Sequence, residues 1–165
     1  MKAVVVFPPG DFLLQQLAEQ VCAGAREAGA EVELISTSEA PQLAASKLVF
    51  LGISAYGLSK RLESVSLAAG SNNIQNASIR LFCVHSGSGK KILEEAQQLL
   101  ESRKLSVKST LLIECKGLLK HFGRGVVGEG DLARARAFGE RGAAAFLGRR
   151  VPPENEKRRI SGYLK

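Results

Sequence analysis

Two short, nearly uninterrupted apolar runs constrain this chain more than anything else in it: Val4-Val5-Val6-Phe7 and Leu48-Val49-Phe50-Leu51-Gly52-Ile53. A strand with apolar residues on both of its sides must be covered on both faces, which is the condition of a strand inside a parallel sheet. Each run is followed by a segment with helical periodicity. After the first, Leu13, Leu14, Leu17, Val21 and Ala25 fall on one face of a helix over residues 11–28, opposite Gln15, Gln16, Glu19 and Gln20. Asp11 is its natural N-cap and Gly29 its natural stop.

The rest of the chain repeats this alternation. Strand 2 is expected over Glu31–Ile35, followed by a short helical turn around Pro41–Ala45. Strand 3 is Leu48–Ile53, and its helix carries Leu58, Leu62, Val65 and Ala69 on one face. Strand 4 is Ile79–Val84. The loop His85-Ser86-Gly87-Ser88-Gly89 leads into a helix with Ile92, Leu93, Ala96, Leu99 and Leu100 on its apolar side. Strand 5 runs from about Val107 to Cys115, a glycine-rich loop covers 117–130, and a last helix spans Asp131–Leu147. Strand–helix repeated five times implies a parallel sheet with helices on both faces, a three-layer α/β sandwich. No sequence repeat or low-complexity tract interrupts it. Residues 1–147 read as one domain and 148–165 as a basic tail.

The chain has 165 residues, enough for one sizeable core without covalent staples. Its cysteines, Cys22, Cys83 and Cys115, are few, odd in number and widely spaced, which favours a reducing, cytoplasmic setting over a disulfide framework or a structural zinc site. No apolar run reaches bilayer length. The net charge is +7, and in residues 149–165 six cations face only Glu154 and Glu156. No interleaved aromatics or nucleic-acid motif accompany that charge, so a solvated tail is the simpler account.

Several stretches together resemble the flavodoxin family. Gly52-Ile53-Ser54-Ala55-Tyr56-Gly57 resembles the family's "GSPVYAG" segment after strand 3, and Leu81-Phe82-Cys83-Val84-His85-Ser86-Gly87 its strand 4 and following loop. Glu114-Cys115-Lys116-Gly117 looks like the Cys-x-Gly at the end of strand 5. The segment Gly125–Phe138 is similar to the "GHP…DL..A..F" approach to the last helix. The resemblance covers about residues 1–147 and implies strand order 2-1-3-4-5, with an FMN site built from the loops after strands 1, 3 and 4. It further implies electron transfer or flavin-dependent reduction with a redox partner protein. Carried onto this chain, the cofactor-binding positions are Pro9, Gly10 and Asp11, then Ser54, Ala55, Tyr56 and Gly57, then His85, Ser86, Gly87 and Ser88. Tyr56 takes the place of the aromatic that stacks on the flavin.

One departure bears on function. The family wraps the FMN phosphate in a hydroxyl-rich loop after strand 1, whereas here that loop is Pro8-Pro9-Gly10-Asp11-Phe12. It has no hydroxyl, its prolines have no N–H to donate, and Asp11 puts a carboxylate at the positive end of the next helix. Three lost hydrogen bonds to a charged group correspond to roughly 5–9 kcal/mol. The sequence therefore leaves two readings open. One is a flavoprotein with an altered FMN site. The other is a flavodoxin-like scaffold that has lost the cofactor and works through protein contacts, as a homodimer or with a partner, its pocket filled by Phe12 and Tyr56.

Other chemistry is weaker. Gly123–Gly128 matches GxGxxG in letters but lies before the last helix, not between a first strand and helix. Gly89-Lys90 lacks the leading glycine and final hydroxyl of a P-loop. The Ser86–Lys90 segment has hydroxyls, small residues and a cation suited to a phosphate or carboxylate. His85 and His121 have no carboxylate or cysteine at ligand spacing, and a hydrogen-bonded structural role is expected for His85.

Overall fold

In a computed structural model of the chain, residues 2–39, 43–54, 61–117 and 125–149 are described. The elements in order are β1 (Lys2–Phe7), α1 (Phe12–Glu27), β2 (Glu31–Ser36), β3 (Leu48–Ser54), α2 (Glu63–Ala69), β4 (Ser78–His85), α3 (Gly89–Ser102), β5 (Val107–Glu114) and α4 (Glu129–Phe146). The five strands form one sheet in order β2-β1-β3-β4-β5, and every pair is parallel.

The double burial read from the apolar runs is resolved strand by strand. Side chains alternate across a strand, so β1 sends Ala3 and Val5 into one core and Val4 and Val6 into the other. Likewise β3 divides Leu48 and Phe50 from Val49, Leu51 and Ile53. The first core is roofed by α1 and α4, and the second by α2 and α3. All five residues expected on the apolar face of α1 are buried.

The two helices of the first layer approach unusually closely. A Cβ built on Gly24 of α1 would run into the Arg136 carbonyl of α4, and one on Gly139 of α4 into the Val21 carbonyl of α1. Gly142 lets α4 settle onto the Phe50 ring and the Arg80 stem. The exposed Arg136–Glu27 pair spans the same crossing. Past α4, Gly148 turns with φ +67°, and the Arg149 guanidinium donates to the Ala28 carbonyl at 2.8 Å.

Three local expectations are corrected. The strand–helix unit does not occur five times: among the described residues there are four α-helices, and the segment between β2 and β3 contributes none. Of the turn expected at 41–45, residues 41–42 lie outside the described residues and 43–45 are not helical. In α2 the buried alanine is Ala68 rather than Ala69, and Ser64 is fully buried because its hydroxyl donates to the Gly52 carbonyl at 2.5 Å. The helix is anchored to β3 by that bond as well as by its apolar face. After α2, Asn72–Ile74 form a short 3₁₀ turn that buries Ile74.

Candidate functional site

In an open parallel sheet, ligands bind outside the carboxyl ends of the strands where the order reverses. Here β1 has β2 on one side and β3 on the other, so the crevice lies between the loop after β1 and the end of β3. Pro9, Gly10, Asp11 and Ser54 meet there. Gly10 has φ +89°, a conformation that favours glycine, and it turns the chain sharply from β1 into α1.

Asp11 joins the two sides of this crevice. It is extended, at φ −107° and ψ 99°, and caps α1 by accepting from the Leu14 N–H on Oδ1 at 3.0 Å. Its other oxygen, Oδ2, accepts from the Ser54 hydroxyl at 2.7 Å. Both carboxylate oxygens are thus engaged, one with the helix terminus and one with the last residue of β3. Ser54 is 2% exposed, so the bond is largely sheltered from water. A charge-assisted bond in such a setting is stronger than its exposed counterpart.

Beneath the crevice lies Cys83 of β4, paired with Ile53 of β3. Burial pushes its thiol up to about 12, the nearby Asp11 carboxylate adds to the rise, and Arg61 opposes it. The thiol is therefore inert near neutrality, since the thiolate is the nucleophile. Arg61 is a residue that sequence patterning did not single out. Its Nε is buried without a hydrogen-bond partner, and its Nη1 lies 3.8 Å from Glu95 of α3. A lone arginine between a loop and a helix has no sequence signal; only the fold brings its charge to bear on Cys83. Thr37, whose hydroxyl donates to Glu63 at 2.7 Å, is another such long-range tie.

The loop after β4 forms the second wall. His85 Nδ1 accepts from the Gly87 N–H at 3.0 Å, so the neutral ring carries its proton on Nε2. The His85 carbonyl accepts from the Cys115 N–H at 2.8 Å, and the ring leaves no room for a Cβ on Gly89. This is the hydrogen-bonded structural role expected of His85. Gly87 has φ +147° with open space where a Cβ would sit. Ser86 is half-buried and Ser88 exposed. Ser88 stands at the N-cap of α3 without making a side-chain capping bond.

Ala55, Tyr56 and Gly57 lie outside the described residues. Phe12 does not fill the pocket as expected: it is 70% exposed at the start of α1. The helix turns Leu13 and Leu14 into the core, which directs the preceding side chain outward. Beyond β5, Lys116 and Val126 form an antiparallel bridge through bonds of 3.0 and 2.7 Å, leaving Val126 64% exposed. Among the described residues no cluster of three or more His, Cys, Asp or Glu could hold a metal, and no helix is long and apolar enough to cross a membrane.

The residues after β1 do not fit an FMN phosphate. The position a phosphate would take at the α1 terminus is held by a carboxylate of the same sign, and Ser54, the hydroxyl bonded to it, donates to that carboxylate.

No protein-family model matches the chain, and no curated protein matches it. Solved structures do. A flavodoxin from the domain Archaea is 17% identical with a TM-score of 0.63, over 89% of this chain and 99% of the other. The two-electron reduced Megasphaera elsdenii flavodoxin is 17% identical with a TM-score of 0.66, over 86% and 98%. Oxidised Flavodoxin 2 from Bacillus cereus is 16% identical with a TM-score of 0.62, over 88% and 100%. Near-complete coverage at such low identity is a likeness of architecture, and it agrees with the strand order found here: the chain has the flavodoxin-like fold.

Proposed function

We propose that this chain is a flavodoxin-like module of flavin-linked electron transfer whose flavin site is atypical. The observation that supports it is the placement of the carboxyl ends of β1, β3 and β4 side by side at one edge of a 2-1-3-4-5 sheet, the architecture shared with the flavodoxins above. In this reading Ser54, Ala55, Tyr56 and Gly57 flank one side of the ring, and His85, Ser86, Gly87 and Ser88 the other. Pro9, Gly10 and Asp11 border the tail of the ligand instead of wrapping a phosphate. FMN is the family's flavin, and a bound flavin supplies one- or two-electron chemistry. A redox partner protein would dock over the exposed rim. The test is the visible absorption of the purified protein, with fluorescence titrations of FMN and riboflavin. A colourless protein that leaves both flavins unquenched at micromolar concentration overturns the reading.

A second reading is favoured by one specific observation. The Asp11 carboxylate, bonded to Ser54, stands where a phosphate would be held, and the adjacent Phe12 presents a bare aromatic ring at the start of α1. Both suit a scaffold that has lost the cofactor and acts through protein contacts, including a homodimer. Light scattering of the purified protein, beside the flavin titration, separates the two: an associating, flavin-blind protein supports this second reading.

A further inference from the structure

We infer that the ligand of the crevice is a flavin lacking the phosphate, of the riboflavin class, and that Asp11 is the residue that sets this preference; the inference rests on the flavin reading above. The Asp11 carboxylate is fixed at both ends, Oδ1 by the Leu14 N–H at 3.0 Å and Oδ2 by the Ser54 hydroxyl at 2.7 Å. It cannot swing aside for an anion without breaking both bonds. A phosphate brought to the start of α1 would meet this fixed negative charge in a sheltered crevice, where salt screens it weakly. Arg61, the cation whose charge reaches the neighbouring Cys83, is directed to Glu95, 3.8 Å away. A hydroxylated ribityl tail has the opposite relation to the same group, because each hydroxyl can donate to a carboxylate.

The test is a pair of fluorescence titrations on the full chain, one with riboflavin and one with FMN, at low and high salt. Riboflavin is expected to bind about tenfold or more tighter than FMN, with the gap changing little as salt rises. Asp11→Asn keeps a capping oxygen and removes the charge. It is expected to tighten FMN about tenfold and to weaken riboflavin, whose hydroxyls lose a charged acceptor, so that the preference closes or reverses, with circular dichroism confirming the fold. Ser54→Ala keeps the charge, so the preference for riboflavin persists in it. FMN binding as tightly as riboflavin in the unaltered chain overturns the inference and leaves the flavin reading standing. FMN binding that is tighter and is lost in Lys90→Gln places the phosphate on the β4 loop and also overturns it. If neither flavin binds, both the inference and the reading beneath it fail.

Discussion

The Ser54 hydroxyl and the Asp11 carboxylate, 43 residues apart in sequence, meet at 2.7 Å and join the end of β3 to the start of α1. The bond has a stability consequence independent of any ligand. Asp11→Ala removes the N-cap, worth about 1 kcal/mol. It also leaves the buried Ser54 hydroxyl without this partner, for a further 1–3 kcal/mol or so. A loss of about 2–4 kcal/mol is expected in urea denaturation. Asp11→Asn keeps the cap and should lose less. In a double-mutant cycle Asp11→Ala and Ser54→Ala should couple by about 1–2 kcal/mol. A coupling indistinguishable from zero would show that the bond does not hold the crevice.

The crossing of α1 and α4 makes a second, sharper prediction. In an exposed helix interior Gly→Ala stabilises by about 1 kcal/mol. At Gly24 and Gly139 the sign should reverse, because the added methyl group meets a backbone carbonyl of the other helix, which cannot rotate away. Each substitution should cost about 3 kcal/mol or more, as overpacking against rigid backbone does. Gly130, where a Cβ meets open space near the start of α4, is the control and should tolerate alanine. Equal tolerance at all three positions would mean that the helices do not approach this closely.

These two features mark the border of what the sequence discloses. The strands were legible because double burial leaves a run of apolar residues, and the apolar face of α1 because it repeats with helical period. Asp11 was legible as a cap, since capping is decided within a few residues of chain. Its second bond, to Ser54, was not, because nothing in either residue names a partner 43 positions away. Gly24 and Gly139 were hidden among seventeen glycines, several of which, such as Gly10, Gly29 and Gly148, sit in turns. Phe12 misled because an aromatic beside a candidate pocket suggests filling, whereas the phase of the helix directs it outward. The helical turn expected at 41–45, not found at the described residues 43–45, had only a proline and a few small residues to support it.

Arg80 offers a test of opposite sign. It sits half-buried on β4, where its Nη1 donates to Ser109 at 2.5 Å while its Nε is buried without a partner. Burial also lowers its pKa, which indicates that the surroundings do not favour the charge. Among the described residues no carboxylate pairs with it. Arg80→Met keeps the aliphatic stem that packs on Gly142 and removes the incompletely satisfied guanidinium. Ser109 lies half-exposed on the edge strand β5, so water can replace the lost bond. Stability should be unchanged or should rise by up to about 1 kcal/mol. A loss above about 1 kcal/mol would instead identify Arg80 as a net contributor to the fold.

Cys83 sets the behaviour of the protein in alkali. Its folded-state value, near 12, lies above the ordinary 9.0, chiefly through burial and secondarily through Asp11. Below about pH 9 both folded and unfolded chains hold the proton, and the full stability is present. Above it the unfolded chain releases the proton while the folded chain keeps it, so stability falls with rising pH until the folded thiol itself ionises. A rise of three units, at about 1.4 kcal/mol each, corresponds to a loss of about 4 kcal/mol across pH 9–12. Cys22, raised in the same direction by burial, adds to the slope, so the clean measurement is the difference from Cys83→Ala. In urea denaturation the stability advantage of the unaltered chain over this variant should shrink by about 1.4 kcal/mol per pH unit above pH 9. If the gap stays constant from pH 8 to about 10.5, Cys83 is not held neutral by the fold.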